Sequence, residues 1–293
     1  YVVLDGAKAL AIPTRFGQSM VAEASHMDEI HWTSVDEKGA VWFEETFSLQ
    51  NLDPSTSSGQ GSARPDNPLS RNLSNILKKV KELNPSFWNT NEHWNITTRL
   101  DFPRDWGLGS SSTLINNIAQ WAGVDPYLLL WNTFGGSGYD IACAQHNTAI
   151  LYQVDAQEPR VKEIDFNPAF AHSLFFVYLN RKQDSREAIA AYREKQGNRR
   201  DLVQKISSLT RAIAASNRLE EFEALLEQHE ILISEAIAMP PIKETYFPDF
   251  AGIVKSLGAW GGDFALATGP EKAREYFRKK GYNTVIPYSD MIL

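Results

Sequence analysis

Cysteine and long apolar runs are nearly absent from this sequence. Cys143 is the single cysteine in 293 residues, so no disulfide can form within the chain, and a reducing cytoplasm is favoured over secretion. No run of about 18 consecutive apolar residues is present, which argues against a membrane-spanning helix. We therefore expect a soluble cytoplasmic protein that does not act at a membrane.

An excess of basic residues is also missing. Lys and Arg total 29 against 36 Asp and Glu, a formal net charge of −7, which argues against a broad surface for nucleic acid but not against a local basic pocket. The six histidines show no metal-ligand spacing, so a zinc site is not expected. This composition predicts a small-molecule ligand and no nucleic-acid partner.

The first hundred residues are rich in strand signals. The periodicity of Ile76, Val80 and Leu83 predicts one helix over 73–83, which follows a polar loop at 53–68. Because residues 1–4 resemble the middle of a strand, we expect further residues before Tyr1. Alternating polarity and turn residues predict antiparallel strands over 1–4, 9–13, 18–23, 30–35, 40–48 and 94–102.

Helical patterns dominate from Ser110 onward. Apolar residues recur at helical spacing as far as Ala122, and Asp125 followed by Pro126 predicts the start of a second helix. An extended segment is predicted over 141–152. The remaining chain predicts strands at 173–179, 263–268 and 283–288 and helices near 185–196, 201–216, 218–238, 249–257 and 270–281.

This change of pattern indicates an α+β protein with two domains. The break in periodicity near residue 167 separates a strand-rich first part from a second part in which strands and long helices are mixed. We therefore predict an N-terminal domain at 1–167 and a C-terminal domain at 168–293.

Two glycine–serine loops stand out. The stretch "GLGSSST" at 107–113 lies between a predicted strand and a predicted helix, where free backbone N–H groups and the helix dipole favour an anion such as phosphate. It is neither a Walker A loop, because no Gly-Lys-Ser/Thr follows, nor a dinucleotide fingerprint, because Ser112 replaces the third glycine. A simple helix cap is the alternative interpretation.

The second loop, "GGSGYDIA" at 135–142, carries an aspartate. Asp140 is expected at the entry to an apolar strand, where it would accept a proton from a hydroxyl or organise charge near a transferred phosphate. A turn aspartate bonded to local N–H groups is the alternative. Cys143 is interpreted as a small apolar residue without reactive chemistry. A third loop, "LGAWGGDFALA" at 257–267, contains three glycines in five residues, which suggests close approach of the backbone to another group.

These loops resemble the three motifs of the GHMP kinases, the family of galactokinase, homoserine kinase, mevalonate kinase and phosphomevalonate kinase. The motifs occur in order across nearly the whole chain as "YVVLDGAKALAIP", "PRDWGLGSSST" and "LGAWGGDFALA". The middle motif is the most specific of the three. The stretch "GSGYDIACA" is similar to the mevalonate branch of the family and nearest to the phosphomevalonate kinases.

The resemblance implies a fold, a cofactor and a set of site residues. The fold would be a two-domain α+β fold, with an N-terminal domain like the second domain of ribosomal protein S5 and a ferredoxin-like C-terminal domain. Asp140 would be the catalytic residue, ATP and Mg²⁺ the cofactors, and Ser111 the hydroxyl that reaches magnesium. The residues implied in nucleotide binding are Gly107, Leu108, Gly109, Ser110, Ser111, Ser112, Thr113, Ser137, Gly138, Gly258, Gly261 and Gly262.

Three positions depart from the family pattern. Trp260 and Asp263 stand in the third motif where glycine is usual, and they would crowd the site or reshape recognition of the acceptor. Some relatives place a magnesium-binding glutamate where this chain has Leu129. The first-motif lysine of the mevalonate branch would precede Tyr1, since Lys8 does not match its position. The acidic metal ligand is therefore unassigned.

The function predicted from these observations is transfer of the γ-phosphate of ATP to a hydroxyl or phosphate group of a small metabolite. Phosphoryl transfer needs mainly positioning and neutralisation of charge, which glycine loops, hydroxyls, a metal and one acid supply. Mevalonate or its 5-phosphate is the leading acceptor, and a monomer or homodimer is expected. The alternatives are a kinase of another small alcohol or sugar, a related ATP-dependent decarboxylase, and a non-catalytic nucleotide-binding protein.

Overall fold

The computed structural model describes most of the chain as two compact units. It describes residues 1–25, 29–54, 67–88, 93–181, 189, 192–194, 199–258, 260 and 262–293. The first unit comprises Tyr1–Arg15, Asp105–Leu108 and Gln145–Leu293, and the second comprises Phe16–Arg104 and Gly109–Ala144. The predicted N-terminal domain, 1–167, thus contributes to both units, and the boundary at 167 stays a prediction.

The second unit is built on a four-stranded sheet. Its strands are β2 (Gln18–Ser25), β3 (Glu29–Val35), β4 (Val41–Ser48) and β5 (His93–Leu100), in the order β2-β5-β3-β4. These strands confirm four of the six predicted from alternation. The pairing was expected to be antiparallel throughout, but β3 and β5 are parallel, because the chain returns from β4 to β5 through a helix instead of a hairpin.

Polar side chains cap two helices of the second unit, the first of which begins five residues before the predicted 73–83. Helix α1 (Pro68–Leu83) follows Asn67, whose side chain accepts from the Leu69 N–H. Helix α3 (Pro126–Trp131) is capped by Asp125, which accepts from the N–H groups of Tyr127 at 2.7 Å and Leu128 at 2.9 Å, as the Asp-Pro pair predicts. The other helices are α2 (Ser110–Ala122) and α4 (Tyr139–Ala144).

The core of the second unit lies between the sheet and its helices. Apolar residues from alternate positions of the strands face one side of α1 and one side of α2. The buried members from these elements include Ile30, Trp32, Phe47, Ile96, Leu73, Ile76, Leu77, Val80, Ile115 and Ile118. This packing holds β2 beside α2, the helix that follows the glycine–serine loop.

The first unit contains two antiparallel sheets. One has the order β1-β6-β7, formed by β1 (Ala9–Ala11), β6 (Ile150–Asp155) and β7 (Glu158–Glu163). The other has the order β11-β8-β10-β9, formed by β8 (Leu174–Tyr178), β9 (Val254–Ser256), β10 (Phe264–Thr268) and β11 (Val285–Pro287). The second sheet, with helices between β8 and β9 and between β10 and β11, is the predicted ferredoxin-like arrangement.

Five helices complete the described part of the first unit. They are α5 (Arg199–Ala215), α6 (Leu219–Ile237), α7 (Ile242–Tyr246), α8 (Arg274–Lys279) and α9 (Tyr288–Met291). Helices α5 and α6 confirm the predictions at 201–216 and 218–238. No helix in the described ranges is long and apolar enough to cross a membrane.

Three short predictions were wrong. Residues 1–4 were predicted as a strand, but Val2–Asp5 is a 3₁₀ helix whose local hydrogen bonds end at Gly6, φ +92°. The predicted helix at 249–257 contains strand β9, which pairs with β10. Residues 141–144 were predicted as extended, but they belong to helix α4, where the Ala142 N–H donates to the Gly138 carbonyl. Short apolar segments fit helix and strand patterns equally well, so tertiary pairing decides between them.

Other predictions fall outside the described residues. These are most of the polar loop at 53–68, most of the helix predicted near 185–196, and Gly261 of the third glycine loop.

Candidate active site

The N-terminus of helix α2 has the features of an anion site. Gly109 is its N-cap with φ +76°, and no side chain among the described residues caps the helix. Ser110, Ser111 and Ser112 occupy the first turn, and Ser111 is exposed. Their N–H groups have no intrahelical partner and lie at the positive end of the helix dipole. The glycine–serine loop therefore leaves donors free for an anion such as phosphate.

Thr113 has a structural partner. Its hydroxyl donates to the side-chain oxygen of Gln18 at 2.8 Å, and the Asn117 amide donates to the Gln18 carbonyl at 2.9 Å. These bonds attach α2 to strand β2 one turn after the loop. No local pattern marks Gln18 as a member of the site, because its partners are far away along the chain.

Asp140 lies beside the α2 N-terminus. It is in the first turn of α4, not at the entry to a strand as predicted, and it follows Gly138, which has φ +85°. Its Oδ1 lies 3.8 Å from the position that a β-carbon on Gly109 would occupy. The structure therefore brings the predicted catalytic acid and the part of the predicted phosphate loop from Gly109 onward together within the second unit.

Burial alters the acidity of Asp140. The residue keeps a small exposed area, but protein atoms surround its carboxyl group, and desolvation raises the pKa to about 6, while a hydrogen bond from Tyr139 acts in the opposite direction. A carboxyl with this pKa is mostly ionised at pH 7, yet it binds a proton more readily than an ordinary aspartate. It is therefore suited to accept a proton in a reaction near neutral pH.

The neighbouring cysteine is unreactive. Burial, and then the charge of Asp140, raises the pKa of the Cys143 thiol to about 12. The nucleophilic thiolate is therefore not populated at neutral pH, in agreement with the apolar role expected for Cys143.

The residues just before the glycine–serine loop pack within the first unit. The Tyr178 hydroxyl donates to the carbonyl of Asp105 at 2.9 Å. The Trp106 ring stands edge-on to Phe264, with the centroids 5.3 Å apart. Gly107 has φ +67°, and the carboxyl of Asp263 occupies the space where a β-carbon on Gly107 would lie.

The third glycine loop is only partly open. Gly258 has φ +53° and no neighbour within 4 Å of its β-carbon position, whereas Trp260 is 3% exposed and packs in a core cluster of the first unit with Val2, Ile206 and Ile237. The Trp260 indole N–H donates to the Pro240 carbonyl at 3.2 Å. The large side chain at this usual glycine position therefore supports the core of the unit.

Residues suited to magnesium are few. Ser111 offers an exposed hydroxyl at the helix N-terminus, which fits the predicted contact. Leu129, at the position of the family's glutamate, is fully buried in the core of the second unit. No group of three or more His, Cys, Asp or Glu side chains in the described ranges could hold a metal ion. The contact between Ser111 and Mg²⁺ stays a prediction, and the acidic ligand stays unassigned.

Solved structures share this fold over nearly the whole chain. The chain has the GHMP kinase fold. Mevalonate kinase from Methanococcus jannaschii superposes with a TM-score of 0.64 and 14% identity, over 97% of this chain and 90% of that one. Streptococcus pneumoniae phosphomevalonate kinase, in complex with phosphomevalonate and AMPPNP, gives 0.61 and 14%, over 93% and 95%.

A sugar kinase has the same fold. Lactococcus lactis galactokinase, complexed with galactose, gives a TM-score of 0.60 and 12% identity, over 95% of this chain and 84% of that one. No protein-family model and no curated protein matches the sequence. The resemblance seen in the three motifs is thus confirmed at the level of the fold.

Proposed function

We propose that this protein is an ATP-dependent phosphotransferase that acts on a small-molecule acceptor. The observation that carries the proposal is the placement of the Asp140 carboxyl beside the N-terminus of helix α2. One group is a proton acceptor with a pKa near neutrality, and the other is a set of free donors that favours phosphate. Phosphoryl transfer to an alcohol needs both of these functions.

The roles of the residues follow from their chemistry. The first-turn N–H groups and the serine hydroxyls of α2 would bind the phosphates of ATP, and the glycines at 107 and 109 let the backbone approach them. With mevalonate, Asp140 would take the proton of the acceptor hydroxyl as the hydroxyl oxygen bonds to the γ-phosphorus and the bond from that phosphorus to the ADP oxygen breaks. With the 5-phosphate, whose attacking oxygen has no proton to give up, Asp140 would organise the charge around the transferred group. Mg²⁺, bound with ATP and contacted by Ser111, would neutralise phosphate charge. Leu108, Thr113, Ser137, Gly138, Gly258, Gly261 and Gly262 stay predicted members of the site.

Mevalonate or its 5-phosphate is the acceptor that we favour. The "GSGYDIACA" stretch resembles the mevalonate branch, and two of the structures that share the fold are a mevalonate kinase and a phosphomevalonate kinase. A sugar is the second candidate, because a galactokinase bound to galactose has the same fold. A cytoplasmic location and a monomeric or homodimeric state also stay predictions.

The first test is release of ADP. The protein is incubated with Mg²⁺ and ATP and a panel of mevalonate, phosphomevalonate, diphosphomevalonate, homoserine, galactose and other sugars. Turnover with one mevalonate compound is the expected result. Phosphate and CO₂ release with diphosphomevalonate would indicate a decarboxylase, and ATP binding without turnover would indicate a non-catalytic nucleotide-binding protein.

The variant that separates catalysis from binding is Asp140→Asn. We expect turnover to fall by about 10²-fold or more, with the affinity for ATP changed by less than about threefold, because the amide keeps the shape of the carboxyl but cannot accept the proton. Asp155→Asn, at an exposed residue at the end of β6, is the matched control and should behave as wild type. Full turnover by Asp140→Asn would contradict the proposed role of Asp140.

A further inference from the structure

Three contacts hold the segment that leads into the glycine–serine loop. Tyr178 donates to the Asp105 carbonyl, Trp106 packs on Phe264, and Gly107 lies against the Asp263 carboxyl. The first two contacts are a hydrogen bond and an aromatic pair of ordinary geometry. In the third, the Asp263 carboxyl occupies the space that a side chain at position 107 would need.

Gly107 is required for two separate reasons. Its φ of +67° lies in the left-handed region, which a residue with a β-carbon adopts at a cost. A β-carbon would also overlap the Asp263 carboxyl. Gly39, in contrast, has φ +81° and no atom within 4 Å of its β-carbon position. Only the first reason therefore applies to Gly39.

The backbone of Asp263 is hydrogen-bonded at this place, and the residue is buried. The residue is 9% exposed and has φ +54°, a conformation that aspartate tolerates better than most residues with a β-carbon. Its N–H donates to the Arg181 carbonyl at 2.6 Å, and its carbonyl accepts from the Leu179 N–H at 2.8 Å. These bonds fix the backbone of Asp263, so its carboxyl can leave the space beside Gly107 only by rotation of the side chain within its buried surroundings.

Tyr178 lies close enough to the Asp263 carboxyl for the two groups to interact electrostatically. Burial, followed by the nearby Asp105 and Asp263, raises the pKa of the Tyr178 phenol to about 12. Tyr178 therefore stays protonated as the donor to Asp105. The negative charge of Asp263 does not attract an anion to the adjacent loop, and the relation to Gly107 that the geometry shows is steric.

We propose that Asp263 is a positioning residue, whose carboxyl fills the space beside Gly107 and fixes the start of the glycine–serine loop. Asp263, which stands at a usual glycine position, and Gly107 are sterically complementary, because the carboxyl of Asp263 fills the space left by the absent side chain of Gly107. Gly107 precedes Gly109 by two residues in the chain, so strain at Gly107 falls directly before the loop donors. The consequence for ATP binding rests on the proposed function, whereas the packing itself does not.

The test is a double-mutant cycle of Gly107→Ala and Asp263→Gly. Each variant is measured for amide hydrogen exchange over residues 105–113, for melting temperature, and for KM(ATP) and kcat. Gly107→Ala should increase exchange in this segment and raise KM(ATP) about tenfold, since small displacements of binding groups have effects of this size. Adding Asp263→Gly removes the overlap but not the backbone strain, so exchange should recover for the most part and KM(ATP) should return to within about threefold of wild type, with the effect on KM(ATP) larger than that on kcat.

Two further variants separate shape from strain and charge. Gly39→Ala carries the same kind of backbone strain without the overlap, so it should lower the melting temperature and gain nothing from Asp263→Gly. Asp263→Asn keeps the volume and removes the charge, so exchange and KM(ATP) should stay near wild type. If Asp263→Asn strongly increased exchange over 105–113 or raised KM(ATP), Asp263 would act through its charge and not through its shape, and the inference would be overturned.

The inference and the proposed function fail in different ways. If Asp263→Gly does not restore the exchange of Gly107→Ala, the inference is wrong even when ATP turnover is normal. If no acceptor supports turnover, the proposed function is wrong, while the exchange data still decide the inference. Should Gly107→Ala not fold, Asp263→Gly alone decides: it should increase exchange over 105–108, and unchanged exchange would overturn the inference.

Discussion

The carboxyl of Asp140 lies against Gly109, the N-cap of the helix that follows the glycine–serine loop. Glycine has no β-carbon, but one placed on Gly109 would lie 3.8 Å from Oδ1 of Asp140, an ordinary van der Waals distance. An acid next to free N–H donors would normally become a stronger acid. Here burial has the larger effect and raises the pKa of Asp140 to about 6.

Turnover should depend on the ionisation of Asp140. Its carboxylate is the form that accepts a proton, and protonation below the pKa of about 6 removes this form. With an alcohol acceptor we expect kcat to fall about tenfold per pH unit below that value. The measurement is kcat at saturating ATP from pH 5 to 8, with the melting temperature followed as a control for unfolding. A flat profile down to pH 5 would exclude Asp140 as the proton acceptor.

The same pKa predicts an effect on stability. Because the folded-state pKa is raised above the ordinary value of 3.8, the stability contributed by protonated Asp140 is present below about pH 4 and is lost as the pH rises through about 6. Asp140→Asn, which is always neutral, should therefore raise the free energy of unfolding at pH 7.5 by on the order of 2 kcal/mol. Denaturant unfolding at pH 7.5 and pH 4 measures the difference, and Asp155→Asn is the control. If Asp140→Asn changed the free energy of unfolding equally at pH 7.5 and pH 4, the ionisation of Asp140 would not be the cause of the change.

Trp260 should be a residue of the core. Replacing it with alanine removes a buried indole and the hydrogen bond to the Pro240 carbonyl, and we expect a loss of about 3–5 kcal/mol in the free energy of unfolding. Trp260→Phe keeps most of the packing and loses the hydrogen bond, so its loss should be smaller, about 1–2 kcal/mol. Urea unfolding of the two variants checks the order. Equal stability of Trp260→Ala and wild type would show that the indole does not support the core.

Much of the fold could be predicted where the local pattern is long. The alternation of β2 to β5 and the helical spacing after Ser110 were sufficient, and so was the pair Asp125 and Pro126 at the start of α3. The failures were the 3₁₀ helix at Val2–Asp5, helix α4 and strand β9. Each of these is at most six residues long, and a short apolar segment takes the structure that its neighbours allow.

The candidate site divides in the same way. The residue types in the glycine loops and Asp140 were recognisable, because their chemistry depends on glycine, hydroxyl and carboxyl groups in a local order. The partners of these residues were not: Gln18 carries no signal in the local pattern, and Asp263 was noticed only as a departure from glycine, not as the neighbour of Gly107. Such contacts join residues far apart along the chain.

By itself the sequence determined the α+β class of the fold and the chemical groups in its glycine loops, since helix starts, glycine turns and alternating strands depend on neighbouring residues. Only the tertiary structure decided where Asp140 lies, how acidic it is, and which side chain fills the space beside Gly107. The physical reason is that desolvation and steric fit depend on every atom within a few ångströms, and most of those atoms belong to residues distant in the chain.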